Sequence, residues 1–109
     1  MKLVKTIIKP ECFGVVKKAR EDKGFVSMTT SEVWGRGEQK GISLDYRGDR
    51  MRIDMLPKIQ IEVVIKEKDV EAVIATITES ARTGKIGDGK IFVIPVERAI
   101  RIRTGETEV

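Results

Sequence analysis

Phosphate binding is the chemistry that the residues of one stretch are suited to. Thr83-Gly84-Lys85-Ile86-Gly87-Asp88-Gly89-Lys90-Ile91-Phe92-Val93 sets three glycines, an acid and a closing lysine between a helical pattern and a strand pattern. Glycine lets a backbone turn tightly and approach a ligand with no Cβ in the way. Successive N–H groups exposed in such a turn form a concavity that holds anions, and Lys90 places a point charge beside it. From Gly84 to Gly89-Lys90 the spacing fits G-x-x-x-x-G-K, the first part of a nucleotide-binding loop. Ile91 stands where that loop needs a magnesium-binding hydroxyl, and the order runs from helix to strand instead of strand to helix. The stretch is therefore a phosphate cradle of another kind, or a plain glycine turn. Arg101 and Arg103, shortly downstream, favour the cradle.

The elements that must position this stretch follow from periodicity. Residues 2–9 alternate loosely, with Leu3 and Ile7 on one face and Val4 and Ile8 on the other, and predict a strand. After Pro10, Cys12, Val15, Val16 and Ala19 recur at helical spacing with Phe13 beside them, and Gly24 is the expected stop. Residues 25–34 read as a strand. Ile59, Ile61, Val63 and Ile65 give the cleanest alternation in the chain. Val70, Val73, Ile74, Ile77 and Ala81 predict a second amphipathic helix, and residues 91–96 the last main strand, with Pro95 suited to an edge or an end. Residues 99–102 allow one more short strand, and 104–109 read as a polar tail. Between the second and third strands, residues 35–56 carry many charges and no packing pattern. A loop that long in a compact domain is usually functional, and it is expected to be a mobile recognition loop.

The order β-α-β-β-α-β predicts an α+β, ferredoxin-like fold: an antiparallel sheet with both helices on one face. At 109 residues the chain is a single domain, 1–109, with a modest core. Apolar residues on both strand faces point to self-association. A net charge of +4, interspersed along the chain, favours small anionic partners but does not argue for nucleic acid. The same fold order serves RNA recognition, but strands 2–9 and 58–66 lack the aromatics on which bases stack. No histidine is present, which removes the usual general base and the commonest metal ligand. Cys12 is the only cysteine, so there is no internal disulfide, and with no histidine to activate it, it reads as a packing residue. With no long apolar run and no signal pattern, membrane insertion is not expected and the cytoplasm is.

Several motifs together resemble one family over essentially the whole chain. Lys9-Pro10, Leu56-Pro57-Lys58, the segment from Thr83 to Val93, and Arg101-Ile102-Arg103-Thr104-Gly105-Glu106 are similar to the PII nitrogen signal proteins of bacteria and archaea. The resemblance implies a homotrimer with nucleotide clefts between neighbours. It implies that Gly87, Asp88, Gly89 and Lys90 hold the phosphates of ATP or ADP, and that Arg101 and Arg103 reach them from the adjoining chain. Thr29, Gly35, Glu62 and Val64 would line the adenine and ribose. Gln39 would help to hold Mg2+ and 2-oxoglutarate, and Lys58 would pair a 2-oxoglutarate carboxylate. Residues 37–54 would form the T-loop, which touches an ammonium transporter or a regulated enzyme such as glutamine synthetase or a nitrogenase component; Arg47 would enter a channel mouth, recruiting the protein to the membrane.

The chain departs from the family pattern at three positions. Glu38 stands where an arginine is common, Met51 where bacterial relatives carry the uridylylated tyrosine, and Asp49 where some carry a phosphorylated serine. Control by ligands alone is the expectation, with Tyr46, the one tyrosine, as the sole hydroxyl of its kind in the loop. A non-catalytic sensor is thus expected. The alternatives on the same fold are a small ATP-hydrolysing enzyme, which lacks its P-loop hydroxyl here, and a trimeric metal-tolerance protein, for which soft ligands are few.

Overall fold

The computed structural model describes residues 1–37, 42–46, 49–53 and 55–108. Strand β1 spans Lys2–Ile8; a 3-10 turn at Pro10–Cys12 leads into helix α1, Phe13–Asp22. Then come β2 (Thr29–Gly35), β3 (Ile42–Tyr46), β4 (Asp49–Ile53), β5 (Leu56–Ile65), α2 (Val70–Ala81) and β6 (Gly89–Pro95). Two short strands close the chain, β7 (Ala99–Ile100) and β8 (Thr107–Glu108). The main sheet is antiparallel in the order β2-β5-β1-β6, the expected ferredoxin-like arrangement. Pro95, without an N–H, is the last residue of the edge strand β6, where no ladder bond is lost.

Register decides which residues meet. Ile8 pairs with Ile59 and Gly89 at one end of β1, and Lys2 with Ile65 and Pro95 at the other. Side chains alternate across a strand, so Val4, Thr6 and Ile8 point to one face, together with Val63, Ile61 and Ile59 opposite them. That face is buried under the helices. Val4, Ile8 and Ile61 form the core with Val16 of α1 and Val73, Ile77 and Ala81 of α2. Burial of each such side chain contributes roughly 1.5–3 kcal/mol. The other face, on the side of Leu3, Lys5 and Ile7, has no layer over it among the described residues.

Four local differences from the sequence reading have physical causes. On α1 the buried residues are Val16 and Arg20, and Val15 is turned out to solvent. Cys12, Phe13, Val16, Ala19 and Arg20 share the inner face, and Val15 lies about 100° of helical rotation before Val16. Residues 25–28 do not join β2 because α1 holds them. The Phe25 amide donates to the Arg20 carbonyl (2.8 Å), and Arg20 Nη2 donates to the Ser27 carbonyl (2.7 Å). Gly24, the expected stop, takes a φ of +87° there. The tail is not free, since β8 pairs with β7, Ala99 opposite Glu108. Within 35–56 the backbone forms a hairpin, β3 against β4, that sets Ile42 opposite Ile53 and Leu44 opposite Met51. The alternation was present in the sequence but masked by the charges between. Among the described residues this hairpin joins neither edge of the main sheet. Cys12 packs against the core as expected, its Sγ 3.9 Å from the Ala81 carbonyl.

Candidate functional site

The glycine stretch begins where α2 ends. Arg82 is extended (φ −72°, ψ 123°), and the chain then turns through three glycines of positive φ: Gly84 (+80°), Gly87 (+91°) and Gly89 (+113°). Side-chain-bearing residues rarely adopt these angles. At Gly84 a Cβ would have open space, so only the backbone angle asks for glycine. At Gly89 a Cβ would overlap the backbone carbonyl of Ile7. The start of β6 therefore lies against β1 with no room for a side chain, so glycine alone fits there.

Asp88 holds the loop in shape. Its carboxylate accepts the Thr83 amide (2.8 Å), the Gly84 amide (2.9 Å) and the Thr83 hydroxyl, and Lys9 Nζ lies 3.3 Å away. Thr83 Oγ1 also accepts the Lys85 amide at 3.2 Å. From β5, Lys58 Nζ donates to the Gly87 carbonyl at 3.1 Å. Hydrogen bonds to the charged form favour it. The Thr83 hydroxyl and amide, with the Gly84 amide and the Lys9 ammonium, hold the Asp88 carboxyl well below the usual carboxylate range. A carboxylate so engaged organises the cradle, and Lys90 and the glycine backbone are left for an anion.

The residues that the sequence singled out fall into two groups. Gly35, Lys58, Gly87, Asp88, Gly89 and Lys90 gather at the Ile8 end of the sheet. Lys90 pairs with Ile7 and Gly35 with Leu56, and a Cβ at Gly35 would lie 3.7 Å from Lys58 Cγ. Thr29 pairs with Glu62, and Val64 follows toward the Lys2 end. Arg101 belongs to that end too. It donates to Glu108 at 2.5 Å and lines a cleft of about 380 Å³ with Met1, Val64 and Lys66. Arg103 follows in the turn closed by the Gly105 amide on the Arg101 carbonyl (2.7 Å). The two ends of β1 lie about 20 Å apart, so the arginines do not meet Lys90 of their own chain. By register, Thr29, Gly35, Lys58, Glu62, Val64 and Lys90 all lie on the uncovered face. Gln39, Arg47 and Glu38 lie outside the described residues. Among the described residues no group of three acidic, cysteine or histidine side chains is placed to hold a metal, and no helix is long and apolar enough to cross a membrane.

Sequence reasoning missed the parts played by Lys9 and Thr83. The only signals were the Lys9-Pro10 pair and the five-residue spacing from Thr83 to Asp88, neither of which identifies a partner without the fold.

The chain matches known proteins along nearly its whole length. The family model described as "Nitrogen regulatory protein P-II" covers residues 1–106. "Nitrogen regulatory protein P-II 2" of Methanothermobacter thermautotrophicus is 52% identical over 107 residues, 98% of this chain and 93% of the relative. A "Nitrogen regulatory protein P-II" of Pasteurella multocida is 50% identical over 106 residues, 97% and 95% of the two chains. One of Cereibacter sphaeroides is 50% identical over 107 residues, 98% and 96%.

Two outcomes follow from the loop geometry. Gly84→Ala costs about 1 kcal/mol of stability, from backbone angle alone, whereas Gly89→Ala costs at least about 3 kcal/mol, because strain and overlap add. Urea unfolding at fixed protein concentration measures both, and equal losses would contradict the close approach of Gly89 to Ile7. The second outcome concerns pH. A carboxyl depressed on folding contributes stability that is present above its ordinary value, near 3.8, and lost only as pH falls through its lower folded value. The Thr83 and Gly84 amide resonances accordingly stay fixed between pH 7 and pH 4. A titration of those amides with a midpoint in that range would contradict the hydrogen bonding of Asp88.

Proposed function

The chain belongs to the nitrogen regulatory protein P-II family, and on that premise we propose that it is a nitrogen signal regulator whose glycine cradle binds ATP and ADP between the subunits of a homotrimer. The observation that carries this reading is the spread of the site residues along one sheet, with Lys90 and Arg101 at opposite ends. One chain offers Gly87, Gly89 and Lys90 at one end, Thr29 and Glu62 opposite Lys5 at mid-strand, and Val64 and Arg101, with Arg103 after it, toward the other end. A second copy brought alongside completes the cleft, its Arg101 and Arg103 facing the first copy's Lys90. The uncovered sheet face supports the association, since Val64, Phe92 and Ile94 are 43%, 43% and 39% exposed there in the single chain.

In such a cleft each group has a definite task. The positive-φ glycines let the backbone approach the phosphates, and Lys90 and the arginines neutralise them. Thr29, Gly35, Glu62 and Val64 face the base and sugar. Lys58, already at the Gly87 carbonyl, pairs a 2-oxoglutarate carboxylate, with Gln39 and Mg2+ completing that part of the site. No bond is made or broken. The ligands act by binding one conformation of residues 37–54 better than another, which is the only way a ligand shifts a population. That segment, through Arg47, then engages a partner such as an ammonium transporter, so that a cytoplasmic protein is held at the membrane. Glutamine synthetase and a nitrogenase component are the other partners this reading admits.

Isothermal calorimetry with ATP and ADP tests the nucleotide site. One charge-assisted hydrogen bond contributes about 1.5–3 kcal/mol, so Lys90→Ala weakens both nucleotides roughly 10- to 150-fold. An unchanged dissociation constant would remove Lys90, and with it the cradle, from the proposal.

A further inference from the structure

We infer that Lys9 is the positioning residue of the glycine loop. From the end of β1 its ammonium fixes the Asp88 carboxylate, and Asp88 fixes the loop backbone in the shape that receives phosphate. The inference rests on the nucleotide reading and adds to it a residue that touches no ligand.

The geometry begins with an acid where an anion is to bind. On charge alone, Asp88 opposes phosphate. Its carboxylate is instead spent on the loop, accepting the Thr83 and Gly84 amides and the Thr83 hydroxyl. Among the described residues, the one group from outside the loop that reaches this carboxylate is Lys9, at 3.3 Å. Lys9 Nζ also lies 3.5 Å from the Thr83 hydroxyl oxygen, so it touches both ends of the Thr83–Asp88 link. Its Cε comes within 3.5 Å of the place a Cβ on Gly87 would take, so the lysine stem supports the turn from below.

Two features separate this pair from an ordinary surface ion pair. The side chains are only 19% and 24% exposed, whereas Lys18 and Asp22, an exposed pair on α1, are 78% and 63% exposed. Screening by water is correspondingly weaker. Lys9 also follows directly on Ile8, which pairs with Gly89. The ammonium therefore ties the far side of the loop to the same strand end that the near side already crosses. A loop held at both sides before ligand arrives does not have to be ordered on binding, which raises affinity without a new contact.

A double-mutant cycle in the full-length protein tests this, with nucleotide affinity as the readout. Lys9→Met and Asp88→Asn each weaken ADP and ATP roughly twofold to fivefold, the double variant is about as weak as either single one, and Lys9→Arg restores most of the loss. Loss on removing the acid is the telling sign, since plain electrostatics predicts a gain. Tighter binding by Asp88→Asn, or losses that add in the double variant, would mean that Lys9 meets the phosphates itself and would overturn the inference. Should the wild-type protein bind no nucleotide, the nucleotide reading fails and a ligand-free measurement still decides. Hydrogen exchange of the Thr83 and Gly84 amides then quickens in Lys9→Met while that of the central β6 amides does not. Unchanged exchange at Thr83 and Gly84 would overturn the positioning role.

Discussion

At the start of β6 the backbone of Gly89 passes so close to the Ile7 carbonyl that no side chain fits between. The site depends on that approach. It seats Gly89 opposite Ile8 and so fixes the register of β6 on β1, which brings Lys90 beside Ile7 on the uncovered face. It also sets where the loop from α2 must arrive. With α2 anchored in the core by Val73, Ile77 and Ala81, residues 82–88 have to cover a fixed gap. Two more positive-φ glycines and the Asp88 hydrogen bonds are how the chain does so.

Consequences for function run along the sheet. Lys58 of β5 links the loop to the strand that returns from the hairpin, and Gly35, where β2 leaves the sheet, pairs with Leu56, where β5 enters it. The cradle and the root of the 37–54 segment are thus neighbours at one end of the molecule. On the proposed reading, a ligand at Gly87 and Lys58 sits where it can favour one state of that segment without any rearrangement of the core. On the same proposed reading the arginines at the other end complete the cradle of the next subunit, which makes occupancy a property of the assembly.

How much of this was legible depended on whether the signal was local. Strand β5, helix α2, the Gly24 stop and the glycine loop were readable because periodicity and turn chemistry act over a few residues. Arg20 was not. A charged residue at helical spacing reads as solvent-facing, yet this one is buried, bonded to Ser27 at 2.7 Å, and burial lowers its pKa. The carbonyl it satisfies lies seven residues on and is fixed only by the turn at Gly24. The hairpin in 35–56 was obscured because charges alternate with its apolar residues. Taken without the family resemblance, sequence order placed Arg101 and Arg103 close to Lys90, and the antiparallel register shows that β6 carries the chain away to the opposite end. Lys9 was silent for the same reason, its partner Asp88 being 79 positions away, whereas Thr83 is local to Asp88 and was missed because a hydroxyl at that spacing names no partner by itself.

The central claim is that each site is built from Lys90 of one subunit and Arg101 of the next. Chains carrying Lys90→Ala and chains carrying Arg101→Ala, tagged differently, are to be co-expressed, and trimers containing both isolated through the two tags. Each variant alone lacks half of every site. In a mixed trimer one junction unites an intact Lys90 with an intact Arg101, and calorimetry with ATP is predicted to find one site of wild-type affinity per trimer. Mixed trimers that bind no better than the separate variants would contradict the account.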